Sequence, residues 1–206
     1  MLLAIDHLAV CAENLSTGAA FVKSALGVAP GPGGRHPQMG THNRLLSLGP
    51  EVYLEVIAID PKAAAPGRAR WFDLDNFAGA PRLSNWVARA GDIDAAVRAA
   101  PRGIGKVMAL ARDDLRWQMA VPADGRLPFG GAFPGLISWG DAGHPAARLP
   151  DRGCRLVQLR LCHPRGDALR ARLEPLMNMA QVRITNARQI RLEADIMTPA
   201  GLRVLR

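Results

Sequence analysis

One order of elements recurs along this chain, and a recurring order constrains the fold more than any single motif does. Leu3 to Ala12 (LAIDHLAVCA) has the apolar and β-branched make-up of a strand. Glu13-Asn14-Leu15-Ser16 reads as the entry to a helix, and Leu15, Ala19, Val22 and Leu26 fall at helical spacing before Gly27 stops the run. The Gly/Pro-rich stretch APGPGG reads as a loop. THNRLLSLG and VYLEVIAID follow as two strand-like segments, with Gly49-Pro50-Glu51 as the turn between them. Residues 83–140 repeat the plan. LSNWVARA is the strand, Gly91-Asp92 opens a helix with Ile93, Ala96, Val97 and Ala100 on one face, and KVMALAR, LRWQMAV and GLISWGD are three further strands. Aligning Asn14-Leu15 with Asp92-Ile93 sets Asn85 at the position of His7, and aligning the closing strands sets Ser138 near Glu55.

A third, shorter pass begins at Gly153. CRLVQLRLCHP is a strand, DALRARLEPLMN a helix with Leu169, Leu173 and Leu176 facing inward, and RLEADIMTPAGLRVLR a terminal hairpin turning at Thr198 to Gly201. The expected class is therefore α+β: paired βαβββ modules over residues 1–150, with an additional C-terminal βαββ module, 151–206, packed on them. That last module is expected to cover a sheet edge or to make the contact of a homodimer. In the long connection between the first two modules, Trp71, Phe72 and Phe77 are expected to pin the chain to the surface.

Composition narrows the partners. At 206 residues and 49% hydrophobic, the chain can bury a substantial core. No run approaches the roughly 18 apolar residues of a membrane span, and MLLAIDHLAV is broken by Asp6 and His7 with no basic segment before it. A cytoplasmic protein without a membrane partner is expected. Cys11, Cys154 and Cys162 have neither pairing number nor CxxC spacing, which argues against a disulfide framework and a structural zinc site. Of the net charge of +8, residues 151–206 contribute 11 arginines against 5 acids. These arginines alternate with apolar residues and have no stacking aromatics beside them, so nucleic acid is not the expected partner.

Candidate chemistry concentrates between Arg35 and Asp60. Residues two apart on a strand share a face, which groups Tyr53, Glu55 and Ile57 against Leu54, Val56 and Ala58. Glu55 is thus a carboxylate inside an apolar strand, and burying a charge without a cation, donor or water costs several kcal/mol. Thr41, His42 and Asn43 end the loop that Gly40 begins, where polar groups can converge on a ligand. Arg44 would favour an anionic substrate if it shares the face of His42. Tyr53, Trp86 and Trp139 are candidate aromatic walls for a small organic ligand. His144 and His163, each beside a proline, read as loop or strand-end residues.

IDHLAV in the first strand, HPQMGTHNRLLSLG in the hairpin, VYLEVIAID in the fourth strand and FPGLISWGDAGHPA closing the second module together resemble the vicinal oxygen chelate superfamily, and within it the glyoxalase-like domain proteins. The resemblance implies two curved sheets around a cleft, with metal-dependent members holding a divalent ion on the first and last strands of each module. His7 and Glu55 match two of those positions, whereas Asn85 and Ser138 offer poor ligands at the other two. No tightly bound metal is therefore expected; a metal site would need His36 or His42 to join His7 and Glu55.

The resemblance implies a small-molecule enzyme of lyase, isomerase or dioxygenase type. Its substrate would bear a carbonyl or carboxylate, with His7, Glu55 and His42 catalytic and His36, Thr41, Asn43, Arg44, Tyr53, Trp86, Ser138 and Trp139 around the substrate. The alternative is a metal-free protein that binds or sequesters a small molecule, as resistance proteins of this fold do.

Overall fold

The computed structural model describes residues 3–140 and 143–206. Asp141, the last residue of the expected strand GLISWGD, lies outside them. The first module is β1 (Ala4–Cys11), α1 (Leu15–Leu26), β2 (Gly31–His36), β3 (Thr41–Ser47) and β4 (Tyr53–Ile59). The second is β5 (Arg82–Arg89), α2 (Ile93–Ala99), β6 (Lys106–Arg112), β7 (Leu115–Val121) and β8 (Gly135–Ser138). Both are βαβββ, as expected. The two helices begin alike: the Asn14 side chain accepts from the Thr17 amide and the Asp92 side chain from the Ala95 amide.

The eight strands of the two modules make one sheet in the order β2-β3-β4-β1-β5-β8-β7-β6. β1 and β5 meet antiparallel at its centre, and each pairs in parallel with the last strand of its own module. The sheet rolls until its edges approach, so that Ala111 on β6 donates its amide to Gln38 after β2 at 3.2 Å. α1 lies on the outer face, with Gly18 packed against Val56. Strand parity then turns Glu55 into the hollow.

β2 runs through APGPGG, which the sequence presents as a loop. Pro32 lacks an amide hydrogen and Gly weakens a strand, yet both are tolerated because β2 is the outermost strand of its sheet. The connection at 71–76 also differs from expectation. Trp71 and Phe72 are buried at 4% and 5% exposure and reach the interior, while only Phe77 stays near the surface.

The C-terminal segment contains one strand more than expected: β9 (Arg155–His163), α3 (Gly166–Leu173), β10 (Val182–Asn186), β11 (Arg191–Thr198) and β12 (Gly201–Leu205). Its sheet order, β10-β9-β11-β12, also departs from the other modules, because the strand after the helix pairs in parallel directly with the strand before it. Leu169, Leu173 and Leu176 face inward. This sheet joins the first two modules through the Leu156 amide to the Leu48 carbonyl and the Leu83 amide to the Arg206 carbonyl, and the three units share one apolar core.

Candidate functional site

A β-bulge in β1 builds the centre of the site. In the pairing with β5, Ile5 faces Ala88 and His7 faces Val87, which leaves Asp6 as an extra residue. A bulge re-aims side chains, and here Asp6 lies beside its neighbour, with Asp6 Oδ1 2.6 Å from His7 Nδ1. Asp6 is fully buried, and its other oxygen takes the Trp139 indole N–H at 2.9 Å and His144 Nε2 at 3.0 Å. Burial works against its ionisation, but the bonds from His144 and His7 prevail and hold the carboxyl well below the usual carboxylate range.

With Nδ1 anchored, the far nitrogen of His7 points at the hollow. His7 Nε2 lies 3.6 Å from Glu55 Oε2, and the ring stacks on Tyr53 with centroids 4.6 Å apart. Asn43 donates from Nδ2 to Glu55 Oε1 at 2.6 Å. The Asn43 carbonyl oxygen takes the Gly34 amide at 2.7 Å. Gly33 permits that approach, because a Cβ on it would sit 2.2 Å from Asn43 Oδ1. Arg112 of β6 reaches across to His36 Nε2 at 3.3 Å and Asn43 Oδ1 at 3.4 Å, so the second module supplies a cation to a site founded on the first. Thr41 holds His36 Nδ1 at 3.0 Å. Burial, with the charge of Arg112 next in effect, pushes the His36 imidazole down to about 3, so it is neutral at pH 7. Burial also lifts the Tyr53 phenol well above its usual range, with Asp6 and Glu55 adding to the effect.

Trp71, Phe72, Trp117, Met119, Ile137 and Trp139 complete the walls. They enclose a cavity of about 30 Å³, room for roughly one or two waters. The indole N–H of Trp71 is buried without a hydrogen-bond partner among the described residues, a donor whose desolvation an incoming acceptor would offset.

Of the residues proposed from sequence, His7, Glu55, His36, Asn43, Tyr53 and Trp139 line this hollow, and Thr41 positions His36. His42 does not join them. It alternates with Asn43 along β3, faces outward and lies 4.0 Å from Asp60. Arg44 shares that outer face and is exposed. Trp86 is a core residue whose indole donates to the Ala132 carbonyl.

Ser138 is not the counterpart of Glu55. Glu55 pairs across from Ala9, and the matching pair in the second module is Val87 with Gly135. Asn85 does correspond to His7 but opens into a different cleft. His144, read as a loop residue, closes the Asp6 network, whereas His163 holds a strand end by accepting from the Arg165 amide. Asp6, Arg112 and Trp71 are the members that sequence reasoning passed over. Asp6 carried the same signal as Glu55, an acid inside an apolar strand.

The donor set does not suit the three-ligand metal site considered from sequence. His7 and Glu55 could share an ion, but the nearest candidate for a third ligand, His36, directs Nε2 toward a guanidinium and an amide. His42 faces away, and no group of three His, Cys, Asp or Glu suited to a metal occurs among the described residues.

Residues 5–177 match a family model described as a glyoxalase-like domain. No functionally curated protein matches the sequence. Among solved structures, a hypothetical protein from Staphylococcus aureus is similar at 15% identity, over 93% of this chain and 88% of that one, with a TM-score of 0.65. Methylmalonyl-CoA epimerase from Mycobacterium tuberculosis is similar at 18% identity, over 69% of this chain and 91% of that one, with a TM-score of 0.44.

Proposed function

From the premise that this chain belongs to the glyoxalase-like domain family and has a vicinal oxygen chelate fold, we propose that it is an enzyme moving a proton at a carbon beside a carbonyl or carboxylate. The supporting observation is the His7–Glu55 pair, 3.6 Å apart in a buried hollow, with each member held from behind, His7 by Asp6 and Glu55 by Asn43. A group that accepts or returns a proton must be within hydrogen-bond reach of the reacting carbon and must not swing away from it. Anchoring both partners meets the second requirement.

Arg112 is the cation that would face negative charge developing on the substrate oxygen, in a site dry enough for that charge to matter. Glu55 and His7, 3.6 Å apart, would meet the reacting carbon from one side, so one can take the proton and either can return it. His36, engaged by Arg112, is not free to join His7 and Glu55 around a metal. The present hollow takes water but not an organic substrate, so side chains such as Trp71 and Phe72 must yield on binding.

The test is exchange of the hydrogen α to the carbonyl in D2O, followed by proton NMR over a panel of 2-substituted acids, ketones and thioesters. Glu55→Gln keeps volume and the Asn43 contact region while removing the charge; it should slow exchange at least about a hundredfold and leave the melting temperature within a few degrees. Equal exchange in both proteins would remove Glu55 from the chemistry. A compound that binds tightly without exchanging in the native protein would favour sequestration, the reading to which the aromatic walls also lend themselves.

A further inference from the structure

We propose that the cleft between β5 and β11 is a second binding site, built for a small organic anion with an apolar body. The cleft has a volume of about 480 Å³, in the range of small-molecule sites, against about 30 Å³ in the His7–Glu55 hollow. Phe72 lines both spaces.

The floor is a polar group left open. Asn85 is only 5% exposed. Its amide nitrogen is engaged by Ser84 Oγ at 3.0 Å and Cys11 Sγ at 3.8 Å, while its carbonyl oxygen accepts no hydrogen bond among the described residues. Gly131 keeps that oxygen uncovered: its φ is +89°, and a Cβ there would lie 2.8 Å from Asn85 Oδ1 and 2.5 Å from the Ser84 carbonyl. An acceptor in this position suits a ligand carrying an N–H or O–H.

The sides are apolar, and the charge balance favours an anion. Four arginines and two acids line the cleft. Arg126 lies against Asp73 and Arg206 against Glu193, but Arg191 is exposed and has no ion pair among the described residues. A ligand anion would provide that partner without competing with a protein carboxylate.

The probe is 8-anilinonaphthalene-1-sulfonate, which joins a sulfonate, an apolar ring system and an N–H. Titration followed by proton–nitrogen correlation NMR should show one molecule per chain, with the largest shifts at the Asn85 side-chain amide and Gly131. Arg191→Glu should weaken binding at least about tenfold without changing the melting curve, because Arg191 is exposed. Glu55→Gln should bind the probe as the native protein does, which separates this site from the proposed chemistry. Shifts centred on Trp71 and Trp117, shifts centred on the exposed Met197 and Leu202, or native affinity in Arg191→Glu would each overturn the proposal.

Discussion

Lowering the pH from 7 to 5 should destabilise this protein by about 2 kcal/mol through His36 alone. The imidazole is fully buried, with Thr41 on one nitrogen and the Arg112 guanidinium facing the other, so a proton added there meets both desolvation and a like charge. Its folded pKa of about 3 lies below the ordinary value of 6.5. Between those values the unfolded chain binds the proton and the folded one does not. The stabilisation is therefore complete above about pH 6.5 and is lost progressively as the pH falls toward 3. At pH 5 the gap is about 1.5 pH units at about 1.4 kcal/mol each. Asp6 does not confuse this window, since its carboxyl is ionised at pH 5 in both states. His42 and His163, also lowered by burial, act in the same direction. The assay compares urea unfolding at pH 7 and pH 5 in the native protein and in His36→Gln. The native loss should exceed the loss in the variant by about 2 kcal/mol, whatever the variant's absolute stability. Equal pH dependence in the two proteins would show that His36 is protonated in the fold and would refute the argument.

Asp6→Asn replaces an acceptor for three donors with an amide that must turn one N–H toward them, and should cost about 3 kcal/mol in chemical denaturation. Gly33→Ala should cost about 1–3 kcal/mol and break the Gly34–Asn43 hydrogen bond, because the new methyl would overlap Asn43 Oδ1; loss of that amide's protection from hydrogen exchange would report it.

The plan of the fold is legible in the sequence because its signals are local. Asn14 and Asp92 cap their helices where the pattern places them, and the duplication follows from their spacing. His7 and Glu55 were also readable, each being an ionisable residue in an apolar strand. What resisted reading depended on pairing. β2 looks like a loop until it is known to be an edge strand, where Pro32 is harmless. The face of His42 followed from β3 parity but needed a reference for which side is inside; α1 packed on Val56 provides it. The Ser138 alignment failed because β8 is only four residues long, and its register is fixed by Gly135 opposite Val87, not by composition. Arg112 lies 57 residues from Glu55 in sequence and reaches the site only because the sheet rolls.

The two modules have diverged unequally, and packing explains why one end carries the ionisable groups. At the first end, Asp6, His7 and Glu55 share a buried space, and their desolvation is offset by partners on β1, β3 and the segment after β8. At the second end the counterparts are Asn85 and Gly135, both uncharged. At Gly135 a Cβ would stand 3.3 Å from Met119 Cε and 3.4 Å from Val87 Cγ2, so a carboxylate side chain there would have to displace Met119 and would lie among apolar groups. Restoring a His and a Glu at positions 85 and 135 would therefore not recreate the first site. It would bury two ionisable groups without an Asp6 or an Asn43 behind them, at a cost of several kcal/mol. The neutral floor that remains tolerates a charge delivered by a ligand, because the arginines that meet it stand at the solvent-facing rim and need not be desolvated in its absence. One rolled sheet can thus hold fixed charges at one end and accept mobile charge at the other.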